Sequence, residues 1–348
     1  METAKMVPMI PPSTATRVVS ALSEVVDWGQ NFTHVDEYRQ ANKTMGDGVH
    51  VAVLDSGVAG EHPDLKNNVE ASVDFTGDSG EVNPHATHVA GIIAASADGF
   101  GVVGVAPRVR LHSVRVLDSD GLCPADYSYV IHGLEWVRDN PQIDIVNLSL
   151  GAPIQPPDRM HELISELANR GVIIVAASGN EGAKELSYPA RYKECISVAA
   201  MDKAGKLANF SNIDQDLDVL APGVDIYSTW VNGGFCYAKE SGTSMSAPFI
   251  SGLLALMISF HRNGGDHDTP LTNYSDAIAH LQKFQAGVLV SEMNTNFGVG
   301  IVNPAPVLAS AMTQCIVSTK ADVLPGWRMS LYLTIDAAIR RIILGPTE

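Results

Sequence analysis

The 348-residue chain is poor in cysteine, in aromatic residues and in positive charge. Its four cysteines (Cys123, Cys195, Cys236 and Cys315) are widely separated and form no CxxC pair. That argues against a disulfide framework and suits free thiols in a reducing compartment. Against 39 Asp and Glu stand only 23 Lys and Arg, giving a formal charge of -16 and no basic cluster. Nucleic acid and anionic membranes are therefore not expected partners. No apolar run approaches the length of a membrane span, and the first residues, METAKMVPMIPPSTATRVV, lack a secretory apolar core. A cytoplasmic location is the expectation. A phosphate-cradling GxGxxG is also missing after the first strand, VAVLDSGVAGEHPDL, which argues against a nucleotide-binding domain.

What is present is an ordinary globular composition, 45% hydrophobic and 18% charged, enough for one large domain or two smaller ones. From about Gly48, short apolar runs alternate with helical patterns. GVHVAVLDSG, VRLHSVRVL, IDIVNLSLG, VIIVAASGN, ISVAAMD and LDVLAPG read as strands. HVAGIIAAS, YSYVIHGLEWVRDN, MHELISELANRG and the run after Ser244 read as helices. The alternation predicts an α/β fold, a mostly parallel central sheet with helices on both faces. Ligands of such sheets bind beyond the carboxyl ends of the strands. Asp55, the Ser149-Leu150-Gly151 turn and Asn180 all fall there. Residues 1–22 are irregular and proline-bearing, and the tail 313–348 ends in an amphipathic pattern with Leu331, Ile335, Ala338 and Ile342 on one face.

Four short motifs carry chemistry. VAVLDSG ends a strand at Asp55, HATHVAG opens a helix at His85, AASGNEG sets Asn180 past a strand, and SGTSMSAP opens a helix at Ser244. A serine hydroxyl needs a general base to attack a carbonyl, and the base needs a carboxylate to fix its tautomer. An amide side chain can donate to the developing oxyanion, helped by N–H groups at a helix start. Taken singly, each motif has a plainer reading. An Asp after a strand is usually a turn, Gly-Thr-Ser before a helix a cap, and Asn-Glu-Gly a turn. His85 and His88 form HxxH without the glutamate of HExxH, which disfavours zinc.

Together the motifs resemble the subtilisin-type serine proteases, the subtilases, whose triad runs along the chain in the same order: Asp, His, Ser. VGVAPRVRLHSVRVL, VNLSLG, ELSYPARY, ANFSN, LDVLAPGVDIYST and FGVGIVNP extend the likeness from about Trp28 to Met312. The resemblance implies a three-layer fold with a catalytic domain over residues 23–312. It implies that Asp55 orients His85, His85 is the general base and acid, Ser244 attacks and Asn180 donates to the oxyanion. His88 matches a non-catalytic second histidine. Two departures are small: Ala86 stands where glycine is usual, and Ser246-Ala247 follows Met245.

The resemblance also implies how protein or peptide substrates bind. An extended chain would add as a strand between Ser149-Leu150-Gly151 and Asp120–Cys123. Leu150 and Tyr127 would line the pocket for the fourth residue before the scissile bond. Ala177, Ser178 and Gly179, with Ser187 near the base, would line the pocket for the residue at that bond, with no buried charge. A structural calcium is implied at Asp64 and the loop Ser96–Val102, through Asp98 and carbonyls of Ser96, Phe100 and Val102, with Glu24 nearby. Asp202 is a weaker candidate for a second cation. The acidic charge and short N-terminal extension resemble the bacterial intracellular subtilisins, in which a proline-bearing extension lies across the active site. Pro8, Pro11 and Pro12 of MVPMIPP could misplace a bond there. Those relatives are dimers, so the tail could serve a homodimer interface. The alternatives are a secreted or processing subtilase, or a binding protein on the same fold.

Overall fold

The computed structural model describes residues 6–8, 17–19, 23–265 and 271–283. The tail 313–348, the end of the expected catalytic span, Pro11, Pro12 and Cys315 lie outside the described residues.

In chain order the elements begin with β1 (Val7–Pro8), β2 (Arg17–Val19), α1 (Trp28–Phe32), α2 (Val35–Asn42), β3 (His50–Asp55) and β4 (Val69–Asp74). Next come α3 (His85–Ala94), β5 (Arg110–Arg115), α4 (Ser128–Asp139), β6 (Ile145–Leu148), β7 (Leu150–Gly151) and α5 (Asp158–Asn169). The rest are β8 (Ile173–Ala177), β9 (Cys195–Met201), β10 (Val219–Pro222), β11 (Ile226–Val231), β12 (Phe235–Glu240), α6 (Thr243–Arg262) and α7 (Tyr274–Lys283).

Seven strands form one parallel sheet in the order β10-β9-β8-β6-β3-β5-β4. Its central strands are apolar runs because both faces are covered: β6, β8 and β9 are buried at every position. Only β4, at the edge, alternates between half-buried and exposed residues. On one face Leu54, Val116, Leu148 and Ala176 meet Leu134 and Val137 of α4 and Leu163 and Leu167 of α5. On the other, Ser251 of α6 donates to Asn147 Oδ1 at 2.9 Å, and α3 packs against α6. The three-layer arrangement expected from the sequence is what forms.

Helix α6 is apolar nearly all round and sits inside the molecule. Contrary to the expectation that no apolar run approaches a membrane span, it is, among the described residues, the one helix long and apolar enough to cross a membrane, and 94% of that stretch is buried in the protein. The antiparallel hairpin β11–β12, extended by β2, packs over α3. Gly91 of α3 permits this, since an added Cβ there would lie 2.2 Å from Thr229 Oγ1. A search for apolar strands alternating with helices passes over β4, the hairpin, α1 and α2.

Candidate active site

Asp55 closes β3 and His85 is the first residue of α3, both at the carboxyl edge of the sheet. The two are 0% and 1% exposed, and His85 Nδ1 lies 2.8 Å from Asp55 Oδ1. A carboxylate can only accept, so Nδ1 carries the proton and Nε2 is left as an acceptor. That Nε2 has no hydrogen-bond partner. The pair is framed by backbone contacts. Ser56 N donates to Asp55 Oδ1 (2.6 Å), His85 N to Asn83 Oδ1 (3.1 Å), Ser56 Oγ to the Asn83 carbonyl (2.9 Å) and Ala86 N to Ser56 Oγ (3.2 Å). Ala86 lies in regular helix, where glycine's freedom is not needed.

Ser244 is the second residue of α6. Four residues on, Pro248 has no N–H, so the Ser244 carbonyl loses its helical partner. The Ser149 hydroxyl replaces it at 2.9 Å, while Ser244 Oγ donates to the Ser149 carbonyl at 2.9 Å. The motif around Ser244 implies a reachable hydroxyl. It is 0% exposed here, its hydroxyl turned toward the Ser149 carbonyl and not toward the imidazole. Asn180 caps the same helix: its Oδ1 accepts from Thr243 N (3.0 Å) and Thr243 Oγ1 (3.2 Å). Its Nδ2 is buried without a partner. Ser246 Oγ donates to the Ala221 carbonyl at 3.1 Å, so that departure is absorbed by a hydrogen bond.

His88, one turn along α3, is buried, with Nε2 at 3.1 Å from the Ile226 carbonyl and 3.2 Å from that of Ala238. Burial pushes its pKa down to about 3, so it is a neutral tie between α3 and the hairpin.

The expected substrate groove holds a strand of the chain itself. Val7 and Pro8 pair antiparallel with Gly151 and Leu150. On the other side Cys123 N donates to the Met6 carbonyl at 3.3 Å, and Gly121 lies against Pro8. Met6 is 0% exposed and belongs to the core cluster containing Leu150, Tyr127 and Cys123. The sequence points to prolines for the blocking role and gives no sign of Met6.

Ala177 closes β8; beyond it, Ser178, Gly179 and Ser187 contact one residue that sequence reasoning also misses, Asn212. Its Oδ1 accepts from Glu181 N (3.0 Å) and Ala183 N (2.9 Å), and its Nδ2 reaches Glu181 Oε2 (2.6 Å) and Ser187 Oγ (3.4 Å). Ser178 Oγ donates to the Asn212 carbonyl at 2.9 Å. Gly179 has φ +114°, and a Cβ there would lie 2.2 Å from Asn212 Nδ2. The segment ANFSN contains Asn212, but its partners are some thirty residues away, and no local pattern points to them.

The loop Ser96–Val102 folds onto Asp64. Val102 N donates to Asp64 Oδ2 (2.8 Å), Tyr237 Oη to Asp64 Oδ1 (3.1 Å), Gly99 N to Glu24 Oε1 (2.6 Å) and Phe100 N to Asp98 Oδ1 (3.2 Å). Burial, reinforced by the charges of Asp98 and Glu24, pushes the Asp64 carboxyl up to about 6. The carboxylates of Glu24, Asp64 and Asp98 are oxygen donors of the kind calcium takes. Among the described residues, however, no three His, Cys, Asp or Glu side chains converge as a metal-binding set.

A family model described as the subtilase family matches residues 46–300. M-protease of Shouchella clausii (strain KSM-K16) is 37% identical over 289 residues, 82% of this chain and 70% of that protein. The major intracellular serine protease of Bacillus subtilis (strain 168) is 40% identical over 232 residues, 63% of this chain and 71% of that protein. Subtilisin NAT of Bacillus subtilis subsp. natto is 41% identical over 226 residues, 62% of this chain and 57% of that relative's length. With the family model covering well over half of its residues, the chain belongs to the subtilase family of serine peptidases.

Proposed function

We propose that this subtilase hydrolyses peptide bonds in protein or peptide substrates by acyl transfer through Ser244, and that its N-terminal segment blocks the cleft until displaced. The observation that carries the reading is the extended segment Met6–Pro8, seated between Leu150–Gly151 and Gly121–Cys123 as a peptide would be. A substrate in the same register sets the residue at the scissile bond opposite Ser149.

Asp55 holds the proton on His85 Nδ1, which keeps Nε2 ready to accept one. When the Ser244 hydroxyl turns from the Ser149 carbonyl to Nε2, the imidazole takes its proton as Oγ bonds to the substrate carbonyl carbon. The carbonyl π pair moves onto oxygen, where Asn180 Nδ2 and the Ser244 N–H donate. Collapse expels the amine, which takes the proton from Nε2 and leaves an ester on Ser244. Water, deprotonated by the same nitrogen, releases the acid and restores the hydroxyl. A Met6→Asp chain, whose blocking strand is destabilised, should turn over an N-acyl tetrapeptide anilide faster than the full chain, with Ser244→Ala inactive. A folded, calcium-supplied Met6→Asp chain with no turnover and no labelling by a fluorophosphonate points to the binding-protein reading.

Glu24, Asp64, Asp98 and the carbonyls of Ser96, Phe100 and Val102 are the groups that would hold a calcium. Its contribution would be structural, offsetting acidic charge in the loop; thermal unfolding with and without calcium tests it. A cytoplasmic site of action is consistent with the relative named as intracellular and with free Cys123, Cys195 and Cys236. The homodimer reading rests on the tail 313–348, outside the described residues, and sedimentation of the full chain tests it.

A further inference from the structure

Arg115, the last residue of β5, is paired with Asp55 in the sheet and is only 6% exposed. Its side chain touches three segments around the candidate site. The stem packs on the turn after Asp55, where a Cβ added at Gly57 would lie 3.1 Å from Arg115 Cδ. Nη1 donates to Asp74 Oδ2 at 3.2 Å and to the Asp78 carbonyl at 3.1 Å, and Nη2 donates to Asp78 Oδ2 at 3.1 Å. Asp74 ends β4, and Asp78 lies in the loop that leads to His85.

Asp78 in turn reaches a fourth segment. Its Oδ2 accepts from Ser119 N at 2.8 Å and its Oδ1 from Gly80 N at 2.8 Å. The Gly80 N–H first, then the side chain and N–H of Ser119, hold its carboxyl down to about 2, so it stays charged at any working pH. Ser119 belongs to the turn that forms the far wall of the groove. Asp118 Oδ1 stiffens that turn by accepting from Asp120 N (3.0 Å) and Leu122 N (2.8 Å). Asn83 closes the circuit: it caps His85 N through Oδ1 and donates from Nδ2 to the Ser119 carbonyl at 3.4 Å.

We propose that Asp78, held by Arg115, is a positioning residue that sets the substrate wall Asp118–Leu122 in register with His85. The inference rests on the protease reading and on this wall being where extended substrate binds. A bond presented to Ser244 depends on where the preceding residues lie, and a shift of about 1 Å in that wall can cost on the order of a hundredfold in rate. Substrates that reach the wall should feel the clamp, and substrates too short to reach it should not.

The test compares two substrates on the full chain: an N-acyl tetrapeptide anilide spanning the groove, and an N-acetyl amino-acid ester occupying only the last subsite. Their kcat/KM ratio cancels any change in the fraction of molecules whose groove is open. Asp78→Ala should lower the ratio about tenfold and Asp78→Asn, which keeps one acceptor but loses the charge, about threefold. Arg115 retains Asp74 in both variants, so its buried charge is not stranded. A ratio unchanged in folded Asp78→Ala overturns the proposal, whereas no turnover of either substrate even by a chain opened with Met6→Asp retires the protease reading instead. Amide exchange needs no turnover: exchange at Ser119–Leu122 should quicken in Asp78→Ala, and unchanged exchange there also overturns the proposal.

Discussion

Ser149 and Ser244 hold each other by a reciprocal pair of hydrogen bonds, each hydroxyl donating to the other's backbone carbonyl at 2.9 Å. Pro248 makes one of them necessary, because it leaves the Ser244 carbonyl without a helical donor in a fully buried position. Ser149→Ala strands that carbonyl and should cost about 1–3 kcal/mol. Thermal unfolding should show a lowered midpoint; an unchanged midpoint would mean that another donor takes over.

Asn180 separates two tasks on one amide. Its oxygen caps α6 through Thr243, and its nitrogen has no partner. Asn180→Asp keeps the acceptor and deletes the donor. We expect kcat to fall on the order of a hundredfold to a thousandfold, and the unfolding midpoint to fall through the buried charge while the cap on Thr243 is kept. Steady-state kinetics on a peptide anilide would contradict this role if kcat survived within a few fold.

His88 gives a pH signature. Burial holds its folded pKa down to about 3, against an ordinary 6.5. A depressed histidine means that the unfolded chain binds a proton which the folded chain refuses. Its contribution is therefore complete above about pH 6.5 and drains away as pH falls toward 3. By pH 5 the loss should reach about 2 kcal/mol. Asp64, pushed the other way, shifts the background, so the comparison is with His88→Gln. Urea unfolding at pH 7 and pH 5 should show a steeper loss in the unmutated chain; parallel losses would contradict the assignment.

The parallel sheet and the Asp55, His85 and Asn180 positions are legible in the sequence because each depends on local signals. Apolar runs mark β3, β6 and β8, and a turn or helix start follows each one. The hairpin β11–β12 has a local signal too, Asn232-Gly233-Gly234 between two strand-like runs, which the search for alternating strands and helices passes over. Edge strand β4, VEASVD, is harder: its alternation is real, but its apolar members are small. Asn212 and Arg115 cannot be read locally, since each acts through partners far away in sequence. Met6 is an ordinary apolar residue until the fold brings Leu150 and Tyr127 around it.

The central claim, a serine nucleophile covered by the chain's own N-terminal strand, is tested most directly by fluorophosphonate labelling followed by intact-mass analysis. The full chain, its Met6→Asp variant and Ser244→Ala would be compared. Burying an aspartate where Met6 sits is unfavourable by several kcal/mol, so the variant should release the strand. The account predicts slow labelling of the full chain, labelling at least about tenfold faster in Met6→Asp, and none in Ser244→Ala. Equal rates for the full chain and Met6→Asp would contradict the covering strand, and labelling that survives Ser244→Ala would contradict the nucleophile.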